Sequence, residues 1–231
     1  MAPLVTCVMP TRNRRRFVPL AIDCFLRQDY SNAELLVADD GSDAVEDLLP
    51  RDRRVRYLRL DPMRSIGTKR NVACAAADGD IIVHWDDDDW SAAWRVSYQV
   101  ESLLGSGADI CGLGRILFFD PVADRAWEYV YPEGGRPWVH GATLAYRASF
   151  WRLNPFPDIP VGEDTRFVWT ERGQRIDVLQ RRDFFVGTIH AANTSPKQTM
   201  GERWRAASSA EILRTIGEGW DGYCRTFGVR A

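Results

Sequence analysis

Short apolar runs alternate with amphipathic segments through the first half of the chain. Residues 4–9, 34–38 and 81–83 are mostly apolar, which predicts buried strands. Between the first two runs, apolar side chains recur with helical spacing at Phe17, Leu20, Ala21, Cys24 and Phe25. This segment is predicted to be a helix with one apolar face.

The same alternation continues to about residue 107. Residues 55–60 alternate apolar side chains with arginine, which indicates a half-exposed edge strand. Ser65 can cap a helix that runs to about residue 77, and Ser91 can start another that closes at residues 105–107. The resulting order of strands and helices predicts an α/β fold with a mostly parallel central sheet flanked by helices.

The second half has a mixed pattern. Predicted strands, separated by turns rich in proline and glycine, are residues 110–119, 127–131, 142–146 and 184–189. A helix is predicted near residues 165–172. Residues 202–220 are predicted to form a last helical segment, because apolar side chains recur at multiples of four at Trp204, Ile212, Ile216 and Trp220.

Composition limits the class of protein. The chain has 231 residues, of which 45% are hydrophobic and 27% charged, and this suffices for one globular domain. The domain is predicted to consist of an α/β half at residues 1–107, a mixed half at residues 108–200 and a C-terminal helical segment at residues 201–231. No apolar run reaches the length of a membrane span and no signal peptide is recognised, so a cytoplasmic protein is expected. Five cysteines without CxxC spacing indicate reduced core residues, and a net charge of −2 argues against a nucleic-acid partner.

Four consecutive aspartates, Asp86 to Asp89, follow the apolar strand at residues 81–83. Because ligands usually sit at the carboxyl ends of strands in α/β proteins, these carboxylates predict a divalent cation, Mg²⁺ or Mn²⁺. An acidic surface loop, or a calcium loop without a catalytic role, is the alternative. Trp85 and Trp90 on either side weigh against that alternative, since exposed acidic loops rarely carry two large apolar neighbours.

The chain lacks the GxGxxG and GxxxxGK[ST] motifs of dinucleotide and P-loop proteins. Four other motifs occur instead, at residues 10–14 (PTRNR), 37–42 (VADDGS), 67–71 (GTKRN) and 85–89 (WDDDD). In this order and spacing they resemble the family 2 glycosyltransferases of the GT-A fold, over about residues 4–190. The resemblance implies a nucleotide-diphospho-sugar transferase fold with residues 1–107 binding the nucleotide sugar and residues 108–200 binding the acceptor.

On the donor side, the resemblance implies that Thr11, Asn13, Asp39 and Asp40 hold the nucleoside. A carboxylate can accept the imide N–H of uracil, which favours UDP over the larger guanine nucleotides. For the two aspartates the alternative is turn chemistry alone. The resemblance also implies that Lys69 or Arg70 neutralises the diphosphate; the alternative is a solvated helix face.

The DxD motif of the family maps onto Asp86 and Asp88, which would bind the divalent ion. Asp87 stands in the variable position, and Asp86 and Asp87 are expected to contact the donor as well. His190, at the end of a predicted strand, corresponds to the position of a further metal ligand in many GT-A enzymes. The alternative for a single histidine is a structural role.

On the acceptor side, Gly141 lies in a segment, residues 140–143, that resembles the acceptor-side turn of the family. Glu163 and Asp164 resemble its ED motif, in which Asp164 would be the general base and Glu163 would help to orient the acceptor. The alternative is an acidic helix start favoured by the helix dipole.

The resemblance therefore implies an inverting, metal-dependent transfer from a UDP-sugar to a glycan, lipid-linked or small-molecule acceptor. Two other functions stay open. A sugar-nucleotide-forming nucleotidyltransferase would normally carry a glycine-rich loop after strand one, which residues 11–16 lack; the third is a non-catalytic carbohydrate- or metal-binding module. Arginines near Trp204 and Trp220 suggest either peripheral contact with the inner face of a membrane or ordinary packing: Arg203, Arg205, Arg214 and Arg225.

Overall fold

A computed structural model describes residues 2–132, 134–159, 161–170 and 173–230. The strands are β1 (Val5–Thr11), β2 (Ala33–Asp39), β3 (Val55–Arg59), β4 (Ile81–His84), β5 (Trp90–Ser91), β6 (Ile110–Leu113), β7 (Arg115–Asp120), β8 (Arg125–Val130), β9 (Ala145–Arg147), β10 (Ile176–Leu179), β11 (Phe185–Thr188) and β12 (Trp204–Ala207). The α-helices are α1 (Val18–Leu26), α2 (Ile66–Ala75), α3 (Arg95–Ser106), α4 (Ala148–Leu153), α5 (Glu163–Val168), α6 (Ser209–Ile216) and α7 (Trp220–Phe227).

The central feature is a seven-stranded sheet in the order β10-β6-β9-β4-β1-β2-β3. Every neighbouring pair is parallel except those of β9, which runs antiparallel to both β4 and β6. A second sheet has the order β12-β8-β7-β11-β5. The predicted mostly parallel sheet with a mixed second half is confirmed, and β3 occupies the predicted edge.

Two apolar layers cover the seven-stranded sheet. In β1, Cys7 and Met9 pack into the layer that contains α1, α3 and α7, whereas Val8 between them packs into the layer under α2, α4 and α5. Because alternate side chains of a strand face opposite sides, a strand covered on both faces needs the continuous apolar run seen in the sequence. All five cysteines are buried free thiols, as predicted.

The sheet brings three polar turns to one edge. Thr11 at the end of β1 is in register with Asp39 at the end of β2, and His84 ends β4 beside Val8 of β1. The predicted Ser65 cap forms as well, since its side chain accepts the N–H of Thr68 at 3.1 Å. The carboxyl ends of β1, β2 and β4 therefore present residues 11–14, 39–41 and 85–89 side by side.

Two predictions about the middle of the chain are wrong. The helix expected from Ser91 begins at Arg95, because Trp90 and Ser91 pair with β11 as β5. The single strand expected at 110–119 breaks at Gly114, where the chain passes from one sheet to the other. A side chain at Gly114 would approach Val178 at 3.0 Å, so glycine suits this crossing.

The C-terminal helical segment begins later than predicted. Trp204 lies in β12, which pairs antiparallel with β8, and the helices start at Ser209 and Trp220. Apolar spacing did not reveal β10 or α4, and residues 171 and 172 of the helix expected at 165–172 lie outside the described residues. Within the described part of the chain, no helix is both long and apolar enough to cross a membrane.

Candidate active site

A cavity of about 550 Å³ opens at the carboxyl ends of β1 and β4. One wall consists of Thr11 and the aspartates at 86–89. A second wall consists of residues 140–142 and 161–164, and residues 192–195 with Lys197 form a third side. The cavity thus lies where an α/β sheet is expected to bind its ligand, between its first-half and second-half elements.

The two buried aspartates of the acidic run share one cation. Asp87 accepts hydrogen bonds from Oγ1 of Thr11 at 2.7 Å and from Nη1 of Arg14 at 2.9 Å. Asp88 accepts from the same Arg14 nitrogen at 2.6 Å and lies 3.0 Å from Nε2 of His190. Burial and the neighbouring Asp88 charge raise the pKa of Asp87 to about 7. Burial alone would also raise the pKa of Asp88, but His190 and Arg14 lower it below its ordinary value.

The outer two aspartates have other partners. Asp86 faces the guanidinium of Arg70, with 3.8 Å between the nearest charged atoms. Asp89 accepts the backbone N–H of Thr188 at 2.7 Å, which ties the acidic run to the end of β11. The four consecutive carboxylates are therefore distributed over different surroundings by the turn that follows β4.

The proposed metal ligands are only partly assembled. Asp88 and His190 are in contact, whereas Asp86 points toward Arg70. Among the residues that the structure describes, no three His, Cys, Asp or Glu side chains are arranged as a metal-binding group. The donor set nevertheless suits a divalent ion, because carboxylate oxygens and an imidazole nitrogen converge where a guanidinium already provides positive charge.

The predicted nucleoside contacts divide into two groups. Thr11 lines the cavity, but Asn13, Asp39 and Asp40 do not. Asp39 is fully buried and accepts hydrogen bonds from the N–H of Gly41, the N–H of Val45 and the hydroxyl of Tyr57. Asn13, with a left-handed backbone at φ 56°, accepts the N–H of Asp43 at 2.9 Å. In the structure these three polar residues shape the turns after β1 and β2.

Lys69 and Arg70 both line the cavity from the first turns of α2, and both are buried. The ammonium of Lys69 pairs with Asp40 and donates to the carbonyl of Thr11 at 3.0 Å. Burial lowers the pKa of Lys69, and the Asp40 charge opposes this shift. Arg70 pairs with Glu163, so it joins the acceptor-side wall to Asp86 on the donor-side wall. These positions exclude the alternative of a solvated helix face.

Asp164 and Gly141 are in contact in the second wall of the cavity. Oδ1 of Asp164 accepts the N–H of Thr165 at 2.7 Å, and its Oδ2 lies directly against the position that a Cβ of residue 141 would occupy. The carbonyl of Gly141 is in turn 2.7 Å from Nδ1 of the buried His84. The absence of a side chain at Gly141 therefore allows the carboxylate of Asp164 to lie directly against the backbone of this turn.

Replacing Gly141 by alanine should displace the Asp164 carboxylate, because the new methyl group would overlap both its Oδ2 and its Cγ. If Asp164 is the base, we expect sugar transfer to fall by about tenfold or more, since misplacing a reacting group by an ångström is costly. Transfer rate and UDP affinity would both be measured. Gly135→Ala is a matched control, because open space surrounds that glycine. Normal transfer by Gly141→Ala would contradict the placement of Asp164.

Sequence reasoning missed a buried arginine that joins the end of β4 to the turn at residues 140–142. Arg95 is 1% exposed and donates to the carbonyls of His84 at 2.7 Å and Ala142 at 2.9 Å. Among the described residues it forms no ion pair, and burial lowers its pKa to about 10. It also donates to Oγ of Ser91 at 2.9 Å. The only sequence signal was one arginine on the apolar side of a helix.

Comparison with known proteins identifies the family. Residues 6–158 match the family model described as Glycosyl transferase family 2. One curated relative is the Escherichia coli protein named UDP-Glc:alpha-D-GlcNAc-diphosphoundecaprenol beta-1,3-glucosyltransferase WfgD. It is 32% identical over 104 residues, which cover 44% of this chain and 41% of WfgD. The chain spans about half or less of the length of the curated relatives it matches.

Solved structures show the same fold at low identity. TarS of S. aureus in complex with UDP-GlcNAc gives a TM-score of 0.64 at 17% identity, over 83% of this chain and 60% of TarS. The mannosyltransferase PcManGT from Pyrobaculum calidifontis, in complex with GDP-Man and Mn2+, gives 0.63 at 19% identity, over 86% and 59%. The chain therefore has the predicted GT-A fold and belongs to glycosyl transferase family 2.

Proposed function

We propose that the protein transfers a sugar from a nucleoside-diphosphate sugar to a hydroxyl group of an acceptor, with a divalent ion and with inversion at the anomeric carbon. The observation that carries this proposal is that Asp86 to Asp88, from the first half of the chain, and Asp164, from the second half, line one cavity. A sugar held between them would have its leaving diphosphate at one wall and its incoming hydroxyl at the other. The same proposal includes the organisation of the chain as one domain, in which residues 1–107 bind the nucleotide sugar, residues 108–200 bind the acceptor and residues 201–231 form a C-terminal segment.

On the donor wall, Asp88, His190 and Asp86 are proposed to hold Mn²⁺ or Mg²⁺. When bound there, such an ion would offset the negative charge that develops on the leaving diphosphate. Asp87 is held by Thr11, so it keeps the end of β1 next to the acidic run. Lys69 is already paired with Asp40, and its role is to fix the carbonyl of Thr11 and the wall beside the donor.

On the acceptor wall, Asp164 is proposed to take the proton of the acceptor hydroxyl. The hydroxyl oxygen would form the new glycosidic bond as the bond from the anomeric carbon to the diphosphate oxygen breaks, and the bonding electrons would leave with the diphosphate. A base opposite the leaving group requires attack from the far face, which inverts the anomeric configuration. Glu163 would orient this wall through its ion pair with Arg70.

The donor is proposed to be a UDP-sugar. The name of WfgD specifies UDP-Glc and TarS was solved with UDP-GlcNAc, whereas PcManGT was solved with GDP-Man. We expect UDP to bind at least about tenfold more tightly than GDP, which corresponds to about 1.4 kcal/mol. Calorimetry of both nucleotides with Mn²⁺ measures this directly. Equal or reversed affinities would contradict uridine specificity and leave the transferase assignment intact.

The acceptor is proposed to be a glycan, either lipid-linked or free, or a small molecule. WfgD is named for a diphosphoundecaprenol-linked acceptor, which motivates tests with lipid-linked sugars. A cytoplasmic location, with peripheral contact at the inner face of the membrane, is part of this proposal. The peripheral contact is supported by four exposed arginines of the C-terminal segment: Arg203, Arg205, Arg214 and Arg225.

One assay separates the three functions under consideration. Purified protein is incubated with Mn²⁺ and, in parallel reactions, with UDP- and GDP-sugars plus a panel of acceptors or with sugar phosphates plus nucleoside triphosphates, and the released products are identified. A nucleoside diphosphate together with a glycosylated acceptor supports the transferase. Pyrophosphate formation from a sugar phosphate and a nucleoside triphosphate would instead identify a nucleotidyltransferase. Binding without release of either product would favour a non-catalytic module.

A further inference from the structure

The guanidinium of Arg14 connects two parts of the cavity that are distant in sequence. Its Nη1 donates to Oδ1 of Asp87 at 2.9 Å and to Oδ2 of Asp88 at 2.6 Å. Its Nη2 donates to the carbonyl of Ala192 at 2.6 Å and to Oγ1 of Thr194 at 3.1 Å. One side chain therefore neutralises the acidic run and also fastens the turn at residues 190–194, which forms the third side of the cavity.

Local structure holds Arg14 in this place. The left-handed backbone of Asn13 turns the chain sharply after β1, and the side chain of Asn13 is fixed by the N–H of Asp43. Arg14 is consequently directed inward, and its side chain is only 16% exposed. The next residue, Arg15, turns outward and pairs with Asp47 at the surface. Of these two adjacent arginines, only Arg14 reaches the acidic run.

A divalent ion and Arg14 would compete for the same oxygen. Oδ2 of Asp88 already receives Nη1 of Arg14 and lies 3.0 Å from His190 and 3.3 Å from Nδ2 of Asn193. A divalent ion that shares Oδ2 would lie about 2.0–2.1 Å from it, close to the guanidinium nitrogen that donates to the same oxygen at 2.6 Å. Two cations at such a separation also repel each other strongly. Binding of the ion at this oxygen therefore favours withdrawal of Arg14.

We propose that Arg14 is a displaceable counter-ion that sets the affinity of this site for its divalent ion. It occupies the place of the cation while the site is free of metal, and it leaves Asp88 when the ion binds. Withdrawal of Arg14 removes two of the hydrogen bonds that fasten residues 192 and 194, so metal loading loosens one side of the cavity. The inference rests on the metal role of Asp88 within the proposed function.

The first test measures the affinity of Mn²⁺ alone by calorimetry, without donor or acceptor. Arg14→Gln removes the competing charge, so its affinity for Mn²⁺ should rise at least about tenfold over wild type. Arg15→Gln is the matched control, because it makes the same change in net charge at a surface ion pair, and its affinity should stay unchanged. Unchanged or weaker Mn²⁺ binding by Arg14→Gln would overturn the inference.

A milder variant covers the case in which Arg14→Gln does not fold. Thr194→Val removes one hydrogen bond to the guanidinium from an exposed turn and leaves the charge in place. Its Mn²⁺ affinity should rise by about threefold, in line with the loss of one hydrogen bond that favours the metal-free arrangement. An affinity equal to that of wild type would count against the inference.

Displacement itself can be observed by NMR of arginine-labelled protein titrated with diamagnetic Mg²⁺. Assigned by comparison with Arg14→Gln, the side-chain N–H signal of Arg14 should shift and lose protection as the site fills. A signal unmoved at saturating Mg²⁺ would overturn the inference. If the variants bind Mn²⁺ as expected but no nucleotide sugar is turned over, the proposed function fails alone. If Mn²⁺-dependent transfer is observed but Arg14→Gln binds Mn²⁺ no more tightly than wild type, this inference fails alone.

Discussion

Replacing Asp164 by asparagine is expected to lower sugar transfer by about 10²- to 10⁴-fold, the usual cost of losing a general base. Asparagine preserves the shape of the side chain and its acceptor for the N–H of Thr165, so the turn around Gly141 should persist. The amide cannot take the proton of an acceptor hydroxyl. We therefore expect the affinities for UDP and Mn²⁺ to stay close to those of wild type while the catalytic rate falls.

Two further variants make this comparison decisive. Asp183→Asn makes the same chemical change at an exposed carboxylate that pairs with Arg181, and it should transfer normally. Glu163→Gln should cost less than Asp164→Asn, because the proposed role of Glu163 is to orient the wall through its ion pair with Arg70. Near-normal transfer by Asp164→Asn, or a product that keeps the anomeric configuration of the donor, would show that the base or the inverting course is assigned wrongly.

Replacing Asp88 by asparagine is expected to weaken Mn²⁺-dependent UDP binding by about 10²-fold. Loss of a residue that only supports a metal ligand typically costs about 10- to 100-fold in metal affinity, and loss of a ligand should cost at least as much as the upper value. Asp88 is the carboxylate that His190, Asn193 and Arg14 all contact, and although burial raises its pKa, His190 and Arg14 hold it below the ordinary value. The neutral amide would offer one oxygen and no charge to the ion. Titration of UDP in the presence of Mn²⁺ measures the loss.

The exposed Asp61 provides a control, since Asp61→Asn changes the net charge equally outside the cavity. The free energy of unfolding of the Asp88 variant should be followed in the same preparation, because Asp88 also anchors Arg14. If wild-type protein binds UDP equally well with Mn²⁺ and with EDTA, the metal dependence of donor binding is contradicted whatever the variant does.

Sequence patterns predicted the elements whose signals are local. The strands β1, β2 and β4 are covered on both faces, so each needed a continuous apolar run that is visible without the fold. The Ser65 cap and the left-handed Gly107 at the end of α3 depend only on neighbouring residues. The acidic run after β4 led us to expect a ligand site at the carboxyl ends of the strands, and the cavity opens at that edge of the sheet.

The failures depend on partners that are distant in the chain. Ser91 resembles a helix cap, but β11 pairs with it and makes it a strand residue. Trp204 fits a helical spacing, yet it packs against Phe118 and Tyr129 from β12. Likewise, residues 12–16 contain four arginines that composition cannot tell apart. Only the turn at Asn13 determines that Arg14 faces the aspartates.

The antiparallel insertion of β9 links the order of folding to the assembly of the proposed active site. Until Ala145–Arg147 has been synthesised, the hydrogen-bonding edge of β4 has no neighbour on that side, and β6 cannot join the sheet. The segment that closes this gap directly follows the turn containing Gly141. Completing the sheet during folding therefore delivers Gly141 to its place beside the acidic run, and a nascent chain that stops before β9 would have neither a finished sheet nor a second wall.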